Sequence, residues 1–329
     1  MPLAGVVILL VVLAWYLTKG SGSTNSAPAT TKPSVTTTTQ VPFAPAPIKS
    51  QIPSPPASDG QWGSRSAWVP GQPAVLETTW HPFAANSAVV AYAFWMRADA
   101  TLLALFPGYK GPGTTNLDRG PEQVPSDGRR ALLATFNSGF YIQSGDAGLD
   151  SPAGFYTNHI LYYPMRPGLA TVVQKADGSV NVMSWTGGAT PGDDVIMARQ
   201  NLPMLVENAQ PTAASNNNSA FGVTIGDVPA TWRTGLGVDA HGNLIYVTAP
   251  ELTSAGLAQV LIQAGAVRGM QLDINPAWPI YNTYSGPDAA GPVQNVPNSQ
   301  QVPWRFLSSS TKDFFALYLR SPGVLKQPW

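Results

Sequence analysis

"WRTGLGVDAHGNLIYVTAPELTSAGLAQVLIQAGAVRGMQLD", residues 232–273, decides how this chain is read. It opens as an apolar run to Asp239, turns at His241–Asn243 and returns through "LIYVTAP", the pattern of a β-hairpin. A helix follows: Thr253 or Ser254 suits its N-cap, Leu257, Val260, Leu261 and Ala264 share one face, and Gly265 suits the position past its end. "VRGMQLD" then reads as a strand that stops at Asp273. A hairpin, a helix and a returning strand predict an α+β fold, a mixed β-sheet with a few packed helices.

Strand-like runs continue on both sides. "AVVAYAFWMR", "TLLALF", "RALLATFNSGFY" and "DFFALYL" are short and rich in β-branched and aromatic residues, and "ATVVQKADGSVNVMSW" turns at Asp177-Gly178. This domain is assigned to residues 62–329, without an internal repeat or linker. Residues 20–61 are Ser/Thr/Pro/Ala-rich with few large apolar side chains, which predicts a disordered tether or stalk. The first residues, "MPLAGVVILLVVLAWYLTKG", carry no charge from Leu3 to Leu17. As a helix this run spans about 22 Å against a hydrocarbon core of about 30 Å. It predicts a single-pass membrane anchor over residues 1–19, with the main domain extracytoplasmic. A cleaved signal peptide competes, but no basic segment precedes the run and no small-x-small site follows it.

Composition narrows the function. Lys plus Arg and Asp plus Glu are both 18, so the formal net charge is zero and no basic surface for nucleic acid is expected. The chain has no cysteine, which excludes disulfides, thiolate metal sites and a cysteine nucleophile. Its three histidines, His81, His159 and His241, lack a ligand-type spacing. A P-loop and a Gly-x-Ser-x-Gly elbow are absent, "GLG" at 235–237 sits inside a strand, and Ser138 has no identifiable histidine partner.

Four stretches form a constellation. "ATFNSGFY" ends an apolar strand on Asn137 and places Gly139 where backbone can approach a ligand closely. "WRTGLGVD" carries Arg233 and Asp239 at the two ends of a strand. "RQNLPMLVENAQ" sets Arg199 and Asn201 ahead of an apolar run, and "MQLDINPAW" supplies Asp273, Asn275 and Trp278. An aspartate at a strand end also commonly serves as a turn residue, and tryptophan commonly packs in a core.

In order and spacing, residues 131–280 resemble the phosphodiester glycosidase family. "NSGFY" at 137–141 is similar to the family's Asn-Gly-Gly-Phe-Phe stretch, "RTGLG" from Arg233 to its Arg-Thr-x-x-Gly strand, and "MQLD" to its strand ending in Asn-Leu-Asp. Many members continue with a glycine-rich loop. Here Ile274-Asn275-Pro276-Ala277-Trp278 follows, similar to an actinobacterial-type branch with Leu-Asp-Ile-Asn-Pro. Glycine loops wrap backbone N–H groups around an anion, and Pro276 has no N–H to offer.

The resemblance implies hydrolysis of a sugar-1-phosphodiester in an envelope or exopolysaccharide glycan. Glycosidases use two carboxylates, and a phosphate leaving group needs donors and positive charge more than a proton. The expected catalytic residues are Asp273 as base or nucleophile, Arg233 as donor and Asn137 as helper. Asn275, Trp278, Gly139, Asp239, Arg199 and Asn201 are expected to bind substrate. No cofactor is expected, with a divalent cation between Asp273 and Asp239 as the variant. The alternative on the same fold is a non-catalytic glycan-binding or structural envelope protein.

Overall fold

The computed structural model describes residues 44–112, 120–141, 153–222, 228–298 and 300–320. In chain order the strands are β1 Gly63–Ser64, β2 Val75–Trp80, β3 Ala91–Met96, β4 Thr101–Phe106, β5 Leu132–Asn137, β6 Phe155–Thr157, β7 Ile160–Tyr163, β8 Ala170–Lys175 and β9 Val180–Ser184. They continue with β10 Val195–Gln200, β11 Met204–Glu207, β12 Gln210–Pro211, β13 Thr231–Val238, β14 Leu244–Leu252, β15 Arg268–Gln271, β16 Tyr281–Tyr284, β17 Pro292–Gln294 and β18 Phe314–Leu319. The α-helix among the described residues, α1, is Ser254–Gln263.

These strands form three sheets. The first runs β1-β2-β3-β14-β13-β15-β11-β12, the second β7-β6-β10-β8-β9, and the third β17-β16-β5-β18-β4. The expected α+β architecture with a mixed sheet and several packed helices is therefore corrected: the described residues are mostly β, with one α-helix and antiparallel pairing. The reason lies in the deciding stretch. β13 pairs antiparallel with β14 on one side and with β15 on the other. β14 and β15 thus run in the same direction but never touch, because α1 carries the chain over β13 before β15 joins its far edge. A helical crossover usually signals parallel neighbours; one that skips a strand leaves the sheet antiparallel.

Local sequence explains the crossover. The Thr253 hydroxyl caps α1 by accepting from the Gly256 N–H at 3.1 Å. Leu257, Val260 and Leu261 are buried and pack with Val206, Ile245 and Val247. Gly265 ends the helix at φ +98. "GLG" serves this packing: a Cβ on Gly237 would lie 2.7 Å from the Arg268 carbonyl oxygen and 2.8 Å from the Ala266 Cβ. The opposite face of the first sheet meets the other two sheets in a core that includes Phe94, Phe136, Phe155, Leu236, Tyr246, Tyr281 and Phe315.

The anchor expected over residues 1–19 and most of the tether lie outside the described residues. Among the described residues no helix is long and apolar enough to cross a membrane. Residues 44–61, the last part of the expected tether, join the fold. Ile48 is buried, its N–H donates to the Gly60 carbonyl at 2.9 Å, and the Gly60 N–H donates to Thr79 in β2 at 2.8 Å.

Two outcomes follow from this packing. Gly237→Ala should lower the urea unfolding free energy by about 1–3 kcal/mol, because its neighbours include fixed backbone. Burial also raises the phenols of Tyr246, Tyr281, Tyr284 and Tyr318 above the ordinary tyrosine range. Above about pH 10 the unfolded chain loses these protons while the native protein keeps them, so stability declines as pH rises through that range. Denaturant midpoints measured across pH 8–11, on the order of the tyrosine range, should show this alkaline decline. A flat profile would contradict it.

Candidate functional site

The site forms where the three sheets meet at the end of β15. Asp273, two residues past that strand, is 2% exposed. Its Oδ1 accepts from the Asn275 N–H at 2.9 Å, closing an Asx turn. Its Oδ2 receives the Lys312 ammonium, which comes from the chain just before β18. One oxygen thus serves as the turn acceptor, and the other is held in an ion pair.

Lys312 is held over two aromatic faces. Its Nζ lies 4.6 Å from the centre of the Tyr141 ring and 5.0 Å from that of Trp278. Such contacts contribute about 0.5–2 kcal/mol, more when water is excluded. The loop that carries Trp278 is closed by its own residues. The Asn275 side-chain oxygen accepts from the Ala277 N–H at 3.0 Å, and the Trp278 N–H donates to the Asn275 carbonyl at 2.8 Å. Asn298 secures the loop through the Ala277 and Pro279 carbonyls at 3.2 and 2.9 Å.

The next residue, also just before β18, faces a different partner. Asp313 Oδ2 accepts from Arg199 Nε at 2.8 Å, with both side chains almost fully buried. Arg199 also donates from Nη2 to the Phe140 carbonyl at 2.6 Å and to the neighbouring Gln200 carbonyl from Nη1. Asn201 donates to the Gln271 and Leu272 carbonyls at 2.6 and 3.1 Å and accepts from the Phe140 N–H at 3.3 Å. These two residues thus clamp the 139–140 backbone to the strand end before Asp273. Gly139 is required by that clamp: a Cβ there would lie 2.9 Å from Asn201 Oδ1 and 3.1 Å from Arg199 Nη2.

Asn137 lies behind Asp273. Its Nδ2 donates to the Ser138 carbonyl and to Thr234 Oγ1, both at 3.0 Å. Its Oδ1 accepts from the Tyr246 hydroxyl at 2.7 Å and the Ile280 N–H at 3.3 Å. Thr234 Oγ1 passes the connection on to the Asp273 carbonyl at 2.8 Å. Asn137 therefore positions the site and has no amide valence left for a ligand.

Two expected site residues lie elsewhere. Arg233 and Thr234 are consecutive in β13 and point to opposite faces. The buried Arg233 guanidinium faces away from Asn137 and binds the Leu252 carbonyl at 2.8 Å, Gln271 Oε1 at 2.6 Å and Asn218 Oδ1 at 2.8 Å. Burial without a carboxylate partner pushes its pKa down to about 10, which still leaves it protonated at neutral pH. It ties β13 to the 218–221 turn rather than donating into the site. Asp239 sits at the other end of β13, about 17 Å along the strand from Thr234. It organises the hairpin turn, accepting from the His241 and Asn243 N–H groups at 2.8 and 2.9 Å and from Trp95 Nε1 at 3.0 Å. A cation shared by Asp273 and Asp239 is therefore not built. Among the described residues no group of three His, Cys, Asp or Glu side chains is arranged to hold a metal ion.

Lys312, Asp313, Tyr141 and Arg305 were not expected. The one signal for the first two is the adjacent Lys-Asp pair in "STKDFFALYL", two charges at the mouth of an apolar strand. Asp313 Oδ1 and Ser138 Oγ are buried without a hydrogen-bond partner among the described residues.

Residues 131–273 match the family model for phosphodiester glycosidase. No curated protein sequence matches the chain. One similar solved structure is the zebrafish N-acetylglucosamine-1-phosphodiester alpha-N-acetylglucosaminidase catalytic domain, auto-inhibited by its pro-peptide. It is 13% identical, with 79% of this chain and 88% of that chain covered and a TM-score of 0.48. Another is a hypothetical protein from Synechocystis, 10% identical, with 70% of this chain and 59% of that one covered and a TM-score of 0.38.

The Arg199–Asp313 pair yields a stability prediction. Breaking a buried pair strands a charge, so Arg199→Met and Asp313→Ala should each destabilise by about 3–5 kcal/mol in chemical denaturation. The double variant should be less unstable than the sum of the two. Additivity would show that the pair is not coupled.

Proposed function

We propose that this protein, whose residues 131–273 match the family model for phosphodiester glycosidase, hydrolyses a sugar-1-phosphodiester, with Asp273 as its reacting carboxylate. The observation that carries this reading is the Lys312–Asp273 ion pair at the end of β15, roofed by Tyr141 and Trp278. It sets a carboxylate beside a cation, the two charges that glycosyl transfer from a phosphate requires. The carboxylate attacks the anomeric carbon or activates water there; the ammonium receives the negative charge that collects on the departing phosphate. Because phosphate is a weak base, little protonation is needed.

Asp273 is sealed by Lys312, so the pair must exchange partners for the reaction to begin. An incoming diester offers the ammonium a second anion. As Nζ turns toward the phosphate, Asp273 Oδ2 is released. The Asx turn keeps Oδ1 fixed on the Asn275 N–H, which limits the carboxylate's reorganisation. Trp278 presents a broad indole for a sugar face once Lys312 has moved. The finer substrate, an envelope or exopolysaccharide glycan, is supported by the composition of residues 20–61.

The test is release of free sugar and phosphomonoester by the full chain across a panel of sugar-1-phosphodiesters. Asp273→Asn preserves shape and should lower turnover by about 10²–10⁴-fold. Arg233→Lys should act through stability rather than turnover, since its guanidinium lies on the other face of β13. A sealed Asp273 also suits a non-catalytic glycan-binding protein. Binding of the panel without any product would select that reading.

A further inference from the structure

Taking the reading of a phosphodiester substrate as its basis, we infer that Arg305 is the phosphate-binding cation of this site, its guanidinium set near the rings of Trp278 and Phe306. The argument begins with the charges around Asp273. Lys312 is paired with Asp273, and Arg199 with Asp313. Arg233 is consumed by carbonyl and amide oxygens on the other face of β13. Arg305 differs from all three. Like Arg233 it has no carboxylate partner among the described residues, but among these its side chain makes a single hydrogen bond, from Nη2 to Thr311 Oγ1 at 3.2 Å. Nε and Nη1 remain for a ligand.

Its position fits. The Arg305 Cζ lies 5.7 Å from the centre of the Trp278 ring, the same indole that takes Lys312 Nζ at 5.0 Å. One aromatic side chain therefore has two cations near its ring, Lys312 paired with Asp273 and Arg305 without a carboxylate among the described residues. The Phe306 ring, 6.0 Å from Cζ, supports the guanidinium from its own chain. A guanidinium carries its N–H groups in a planar fork that can grip two oxygens of a phosphate.

Energetics point the same way. Arg305 is half-buried, and burial lowers its pKa, with Tyr109 and Tyr141 opposing that shift. A partly dehydrated, unpaired cation gains more from an anion than a solvated one does. During the reaction Lys312 must choose between Asp273 and the phosphate, whereas Arg305 can hold the phosphate throughout. That division assigns Arg305 to binding and Lys312 to the leaving charge.

The experiment is calorimetric titration of the full chain with inorganic phosphate and with a simple phosphomonoester, run beside the product-release assay. Arg305→Gln should weaken both ligands by about tenfold or more, while circular dichroism and the unfolding midpoint stay close to wild type. Arg305→Lys keeps the charge but gives up the fork, and should weaken them by a smaller factor; it carries the test if Arg305→Gln does not fold. Equal phosphate affinity in wild type and variants, or no phosphate binding by wild type, overturns the assignment. The two readings fail separately. Phosphate binding that depends on Arg305 without cleavage of any diester keeps the anion site and removes the glycosidase. Cleavage with phosphate affinity indifferent to Arg305 does the reverse.

Discussion

The site depends on one buried amide. Asn137 ends β5 in the third sheet, and its side chain reaches β13 and β14 in the first sheet through Thr234 and Tyr246. All four of its hydrogen-bonding positions are filled. A buried amide that lost one partner would retain an unpaired polar group at a cost of about 1–3 kcal/mol, so the two sheets can adopt little other spacing. Thr234 transmits that constraint to the main chain of Asp273, and the Ile280 N–H returns it to the far end of the same loop. The loop between Asp273 and Ile280 is consequently pinned at both ends before any of its side chains acts.

The charges then follow from the segment that leads into β18. Lys312 and Asp313 are consecutive just before that strand and meet different neighbours. One meets Asp273 past the end of β15 in the first sheet, and the other meets Arg199 from the second. Each sheet thus contributes a charge, and no single sheet contains the site. Buried ions are tolerable here because each finds an opposite charge; one unmatched member would cost several kcal/mol. The field of Asp273 also reaches Tyr246, adding to the burial that raises its phenol. The amide link and the ion pairs are parts of one polar layer between hydrophobic cores.

This division explains which features could be read from the chain. The hairpin, the cap at Thr253, the apolar face of α1 and the end of β15 rest on contacts between near neighbours, and residues 232–273 display them. The antiparallel sheet was hidden because β15 joins beyond β13, and sequence order does not say which edge a crossover reaches. Arg233 was misplaced for a related reason: an arginine at a strand start looks the same whichever face it takes. Asp239 followed its local turn, as "DAHGN" implies. Lys312 and Asp313 lie about forty residues beyond Asp273, and only the third sheet brings them back. Arg199 and Asn201, expected to bind substrate, instead make hydrogen bonds that clamp backbone, a role that the run "RQNLPMLVENAQ" does not display.

For the proposed phosphodiester, the loop after Asp273 would meet the anion by a different route from a glycine-rich loop. A glycine loop presents N–H groups directly to phosphate. In "INPAW" the Asn275 N–H is spent on Asp273, the Ala277 and Trp278 N–H groups are spent on Asn275, and Pro276 has none. The loop therefore has almost no backbone donors left for a ligand. What it offers instead is the indole of Trp278, on which Lys312 and Arg305 both rest. Positive charge comes from side chains that the loop organises. Such cations can move, unlike backbone amides, and one of them already covers the carboxylate. For the proposed phosphodiester, Arg305 would offer positive charge from the start, and Lys312 would add its own only as it leaves Asp273.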